Sequence, residues 1–505
     1  MIDNRYIVTL LFSAVLLSAP VQSQSVFDQY RQQKQKQFDD YKARKQKELD
    51  DYRKRKNDEF AEYIRQNWSE YDVQLPIEKP KEDEVPPIVI PEDEKGKPME
   101  DNPVPIEEVI APLPAPNPQP VPIAPIEEKP LPIAQYVTFR FYGTECKVRF
   151  SDDERFRLSG CNNEAIAAAW ERMSDEAYDN MLHDCLELRK RMQLHDWAYL
   201  NMIAAFAEAC LGKGNEARLL TAYIYCQSGY KMRLGITADK VCMLYASEHT
   251  IYGRSYFKVD GEMFYPFDDD DERMSICGAS FPEERPLSLW ITAAQNLAYN
   301  GTKKRILQAD GYEEMKVETS VNKNLIDFYD SYPSSEVGGN FMTRWAMYAN
   351  AEMEETVKKN LYPALKQILR NYNELEAAER LLNFVQTAFV YEYDDKVWGE
   401  DRAFFAEETL YYPYCDCEDR SILFSRLVRD LLRLDVILVY YPGHLATAVC
   451  FNSEVKGDYI MLNDRRFVVC DPTYIGAPVG CTMPSMDNKA AKVILLSIKN
   501  HDSRK

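Results

Sequence analysis

Seventeen of the chain's 28 prolines fall between Pro76 and Pro132, interleaved with acids in runs such as "APLPAPNPQPVPIAPIEEKPLP". Proline carries no amide proton and fixes φ, so such a stretch cannot supply the interior of a helix or sheet. It is expected to be an extended, acidic tether of roughly 3 Å per residue where stiff. A tether of that kind divides the 505-residue chain into two separate bodies.

The first body is a repeat of period eleven: "FDQYRQQKQKQ", "FDDYKARKQKE", "LDDYRKRKNDE" and "FAEYIRQNWSE", starting at Phe27, Phe38, Leu49 and Phe60. Eleven residues over three turns is 3.67 per turn, so the pairs Phe27/Tyr30, Phe38/Tyr41, Leu49/Tyr52 and Phe60/Tyr63 form one nearly straight stripe on a long helix. Between 27 and 70 there are 12 Lys/Arg against 10 Asp/Glu, a mixed-charge, solvated surface. Such a helix serves as a charge-stabilised spacer, or its thin seam self-associates or docks on a partner.

Ahead of the repeat, "MIDNRYIVTLLFSAVLLSAPVQSQS" has one arginine, an apolar run from Tyr6 to Leu17 and small residues ending near Ser23. That is the pattern of a cleaved secretory leader, and export as a soluble periplasmic or extracellular protein is expected. The formal charge of -20 argues against nucleic acid as a partner, which requires a concentrated basic face. Twelve cysteines are spread from Cys146 to Cys481 without CxxC pairs, so neither a disulfide miniprotein nor a zinc ribbon is indicated.

Beyond the prolines, "QYVTFRFYGTECKVRF" predicts a hairpin around Gly143, and 164–226 has helical periods. Strand-like "KMRLGI" and "TIYGRSYFKVDGEMFYPF" follow, with a turn at Asp260 and Gly261. Two more helical stretches precede a final hundred residues of loop, helix and strands. The class is α+β.

Chemistry concentrates in "DCEDRSILFSRLVRDLLRL". Asp416 stands at an N-cap position with Asp419 three residues on, so Cys417 falls in the first helical turn, where backbone amides and the macrodipole lower a thiol pKa. Glu418 and Asp419 oppose that effect, and a base is needed. His444, one of five histidines, opens the strand "HLATAVCF", and Asp471 closes "FVVC". Antiparallel pairing of those strands would set Asp471 beside the imidazole, holding its tautomer while the other ring nitrogen faces the thiol. A metal site of Cys415, Cys417 and His444 lacks the usual zinc spacing.

Those three motifs, in that order and separated by 27 residues each, resemble the transglutaminase-like (papain-related) superfamily, especially its bacterial cysteine-peptidase branches. The resemblance covers about 381–480. It implies a papain-like C-terminal domain with Cys417 as nucleophile, His444 as general base and acid, and Asp471 as orienting carboxylate. It also implies an oxyanion donor upstream, for which Gln386 is the candidate. No cofactor is implied, and the substrate would be a protein or peptide. Water as acceptor makes a peptidase or amidase; an amine makes a cross-linking enzyme; a non-catalytic scaffold of the same fold is the third reading. Cys415 stands where many members carry glycine, which leaves a second thiol nearby.

The expected organisation is a leader (1–23), long helix (24–72), linker (73–134), α+β domain (135–280), connecting region (281–375) and catalytic domain (376–505). A fainter match lays "NEARLLTAYIYCQSGYKMRLG" over the Cys417 helix and its following strand. Asn215 then takes the nucleophile's place, His249 opens a strand, and Asp268 follows its turn as Asp471 does. On that reading 135–280 is a degenerate copy without a thiol.

Overall fold

The computed structural model describes residues 5–81, 85–111, 118–131, 134–268 and 271–496, with the backbone alone for 5–26. The side chains of the expected leader therefore lie outside the described residues. Helix α1 (Arg5–Gln66) carries the eleven-residue repeat. No described helix is long and apolar enough to cross a membrane.

The two-body expectation does not hold. The stripe is exposed at Phe27, Tyr30, Phe38 and Tyr41, but the fourth repeat adds Ala61 and Ile64 to Phe60, and all three are buried. Phe60 packs on Trp170 of α2 (Asn163–Met173) at 4.6 Å between ring centroids. The last repeat thus carries a wider apolar face than the thin stripe of the others, and it is this face that seats the helix. Asn57 completes the joint: its carbonyl oxygen accepts from Trp170 Nε1 at 3.0 Å and Gln227 Nε2 at 2.8 Å. Arg53 forms a buried ion pair with Asp179.

The proline-rich stretch is docked as well. After β1 (Trp68–Tyr71), it contributes β2 (Asn102–Pro103) and β3 (Glu108–Ile110) to sheet edges, the positions where a missing amide costs least. The hairpin expected around Gly143 is present as β4 (Tyr136–Phe141) and β5 (Thr144–Arg149).

Two sheets dominate the mixed α+β body, the first antiparallel and the second antiparallel except at its edges, where β2 and β3 add in parallel. In the first, helix α3 (Asn215–Gln227) is followed by β6 (Met232–Ile236), β7 (Val241–Ala246), β8 (Phe257–Val259), β9 (Glu262–Pro266) and β10 (Met274–Cys277). Their spatial order is β1-β10-β6-β7-β9-β8. Further along come α4 (Thr343–Asn350), α5 (Glu374–Thr387) and α6 (Cys417–Leu427). After α6 follow β11 (Asp435–Tyr441), β12 (His444–Cys450), β13 (Asp458–Leu462), β14 (Arg465–Cys470) and β15 (Lys492–Leu495). Read from its β3 edge, this second sheet runs β3-β15-β11-β12-β14-β13-β2.

The two orders are the same, strand for strand, for the five strands after each helix. Helix α3 packs on β6 and β7 as α6 packs on β11 and β12. Hairpins β8–β9 and β13–β14 turn through two consecutive positive-φ residues, Asp260/Gly261 and Asn463/Asp464. One part of the sequence match needs correction. His249 lies after β7 and precedes a two-residue strand that pairs with Ser335–Glu336, outside the six-stranded sheet. The residue before β7 is Lys240, so the first half holds no histidine where β12 begins.

Candidate functional site

Helix α6 is buried along its whole length. Asp416 caps it in extended conformation, and its amide donates to Asp419 Oδ2 at 3.3 Å. The other Asp419 oxygen accepts the Phe404 amide at 2.8 Å, which fastens the preceding loop. Deeper in, Ser421 Oγ donates to the Leu445 carbonyl at 2.8 Å and ties the helix to the start of β12.

Cys417, the first residue of α6, is 4% exposed. Its thiol donates to Glu418 Oε2 at 3.1 Å. Burial pushes this thiol well above the ordinary thiol range; Glu418 and Asp416 add to the shift, and the Leu445 amide opposes it. The helix terminus therefore does not by itself produce a thiolate. Desolvation of a sulfur anion beside carboxylates outweighs the macrodipole.

His444 follows a Pro442–Gly443 turn in which Gly443 has φ +74°, a conformation favouring glycine. His444 Nε2 meets Asp471 Oδ2 at 2.9 Å, with both side chains buried. The register explains the meeting: Thr447 pairs with Cys470, and Asp471 is one step past that strand. Asp471 Oδ1 accepts the amides of Thr473 at 2.9 Å and Tyr474 at 3.2 Å, so the carboxylate is held from both sides. Nδ1 of His444 is buried with no hydrogen-bond partner among the described residues.

Cys417 and His444 line one cleft of about 970 Å³. Cys415 does not line it: its buried thiol lies on the Val390 carbonyl at 3.9 Å. All twelve cysteines are free thiols in this structure.

Gln386 requires a correction. It is buried, and its amide nitrogen donates to the carbonyls of Asp471, Tyr474 and Ala477 at 3.0, 2.7 and 3.1 Å, while its oxygen accepts the Gly476 amide at 3.1 Å. Both amide protons are committed to backbone, so no donor is left for an oxyanion. Gln386 instead clasps the turn that carries Asp471. Arg420, also buried, extends the clasp by donating to the carbonyls of Gln386 at 3.0 Å and Phe389 at 2.9 Å.

Sequence reasoning missed three walls of the cleft. Arg344 and Trp345 come from α4, Tyr252 and Arg254 from the first half, and residues 78–81 from the proline-rich stretch. Arg344 is buried against Asp401 at 2.6 Å. Its only sequence signal was an arginine within the apolar "FMTRWAMY". The carboxylates of Asp394, Asp401 and Glu418, and of Asp394, Asp416 and Asp419, form two groups close enough to share a cation.

No family model, curated protein or solved structure matches the chain.

Proposed function

We propose that this chain is an exported cysteine-dependent acyl hydrolase of transglutaminase-like, papain-like fold, a peptidase or amidase. One observation carries the reading: a buried imidazole whose Nε2 is anchored by a carboxylate at 2.9 Å and whose Nδ1 is left without a partner, in the cleft that Cys417 lines. Nδ1 takes the thiol proton, and the sulfur attacks the amide carbon. The imidazolium then protonates the departing amine, leaving an acyl thioester that water hydrolyses with Nδ1 again receiving the proton. Because the isolated thiol resists ionisation, its hydrogen bond passes from Glu418 to His444 as the reaction begins. Negative charge on the carbonyl oxygen develops at the amide end of α6.

On this reading residues 215–277 are a second copy of the same helix-and-sheet unit without the thiol, and α1 is a spacer. A non-catalytic scaffold is the rival. The Cys417–Glu418 hydrogen bond favours it, since the resting thiol is neutral and engaged away from a base. A library of fluorogenic peptides separates the two. Wild type should cleave members of it, and Cys417→Ala and His444→Ala should not. Equal turnover by wild type and Cys417→Ala would end the nucleophile assignment. Transfer of the acyl group to an added primary amine in preference to water would select the cross-linking variant.

A further inference from the structure

The cleft lies between the two halves of the body. Tyr252 and Arg254 of the first half form one wall, and Cys417, His444 and Leu445 belong to the other. Two described pieces of the proline-rich stretch, 77–81 and 85–90, attach to these walls. Residues 78–81, "EKPK", line the cleft together with Cys417 and His444. On the first-half side, the Gly253 amide donates to the Ile77 carbonyl at 3.0 Å. On the other side, the Val85 amide donates at 2.9 Å to the carbonyl of Gly443, the residue before His444. Beyond it, Ile90 and Ile88 exchange hydrogen bonds with Ile475 at 3.0 and 2.8 Å, on the turn that Gln386 clasps. Lys79 adds a side-chain anchor by donating to the Asp401 carbonyl.

Apart from that of Lys79, these attachments are made by peptide groups of Ile77, Val85, Ile88 and Ile90, and peptide groups are common to every sequence. Backbone pairing of an added extended segment gives affinity irrespective of side chains. Prolines at 76, 80, 86 and 87 keep the segment extended and lower the entropy lost in docking. We propose that the cleft is a binding groove for extended polypeptide, one wall of which is supplied in cis by residues 77–81, with Val85 pinned beside His444, so that the chain's own segment takes up part of the place of the substrate. The identification of the competing ligand as a substrate rests on the acyl-hydrolase reading; the groove and its occupant rest on the hydrogen bonds alone.

The test uses the full chain. Val85→Pro removes the amide that bonds Gly443 while keeping the backbone extended, and Lys79→Ala removes the side-chain anchor. Alkylation of Cys417 by iodoacetamide, followed by peptide mass spectrometry, reads access to the sulfur. If the competent state is exposed only when the segment leaves, the double variant should label about tenfold faster than wild type. A synthetic peptide of residues 74–90, added in excess, should return the rate toward that of wild type. An unchanged rate with an unchanged melting temperature would overturn the proposal, as would an increase that the peptide does not reverse. If the double variant loses its cooperative melt, Lys79→Ala alone is judged by the same two criteria. Labelling reports access and not turnover, so a variant that labels quickly yet cleaves nothing would remove the catalytic reading while leaving the groove intact.

Discussion

The side-chain oxygen of Asn215 accepts the amide of Val241 at 3.0 Å, and at the corresponding place in the second half the amide of Leu445 is the group that favours ionisation of the Cys417 thiol. Both residues open a helix, and both partners lie at the start of the second strand that follows it. In the first half the remaining positions are altered: Lys240 precedes Val241, and Asp268, the counterpart of Asp471, is ion-paired with Arg218 of the helix. The side-chain nitrogen of Asn215, Nδ2, also donates to the Asp239 carbonyl at 2.9 Å, so this residue serves as a fastener. Asn215→Ala, which leaves an amide and a carbonyl unpaired, should lower stability by about 1–3 kcal/mol with the chemistry of Cys417 unchanged, as read by chemical denaturation alongside alkylation.

Asp471→Asn tests the anchored imidazole. The amide keeps the shape of the carboxylate but neither stabilises an imidazolium nor fixes the same tautomer. Peptide turnover should fall by about 10²–10⁴-fold. Thermal melting should show the fold retained.

Glu418→Gln should act in the opposite direction on the sulfur. It removes a like charge, leaves only a weaker amide acceptor for the thiol proton and adds an N–H that can donate to sulfur, so the thiol pKa should fall and alkylation of Cys417 at neutral pH should rise about tenfold per pKa unit lost. Mass spectrometry at several pH values would give the shift directly.

Gln386→Ala deletes a clasp with four backbone partners. The loss should cost about 2–4 kcal/mol, several buried hydrogen bonds being left unmade together. Glutamate at 386 should be as damaging, because an ionised carboxylate cannot donate to the carbonyls of Asp471, Tyr474 and Ala477. Denaturant titration of both variants distinguishes this role from that of an oxyanion donor, whose removal would slow turnover without unfolding the turn.

Acid should destabilise the protein through two buried histidines. Burial holds His195 and His249 at about 3, far below the usual imidazole value. In the unfolded chain they bind protons near pH 6.5, so between about 6.5 and 3 the unfolded state carries more protons and stability falls as pH falls. His195→Asn keeps a side-chain oxygen at the cap where His195 Nδ1 now accepts the Trp197 amide at 3.2 Å. It should flatten the decline of melting temperature below pH 6 in calorimetry.

Much of the second sheet was legible because each element carried a local signal: an N-cap at Asp416, a Pro-Gly turn before His444, and a strand ended by Pro472. From those alone the pairing that joins His444 to Asp471 follows. Gln386 was misassigned because a polar residue on an amphipathic helix gives no sign of which backbone it will meet. His249 was misplaced because the short strand that it opens, Thr250–Ile251, pairs with Ser335–Glu336 and not with the sheet, which its local sequence does not reveal. The docking of the proline-rich stretch was invisible for a physical reason. Its backbone donors and acceptors are ordinary, and only the folded surface decides whether water or a sheet edge satisfies them. Likewise Arg344 joins the cleft through tertiary packing of α4, which leaves no periodic trace near the cysteine.

Along the projecting part of α1 three of the four rings are shielded by a cation of their own repeat: Arg31 covers Phe27 at 5.1 Å, Lys34 covers Tyr30 at 5.7 Å, and Arg44 covers Tyr41 at 5.7 Å, while Phe38 stays open. A rod so finished can stand in water without clumping on its neighbours, and from residue 27 to residue 41, before Lys42 reaches Glu127 of the body, it measures roughly 20 Å at helical rise. Anything fastened at its outer end would ride at that distance from the body, on a mast whose base is set in the same core as the first sheet.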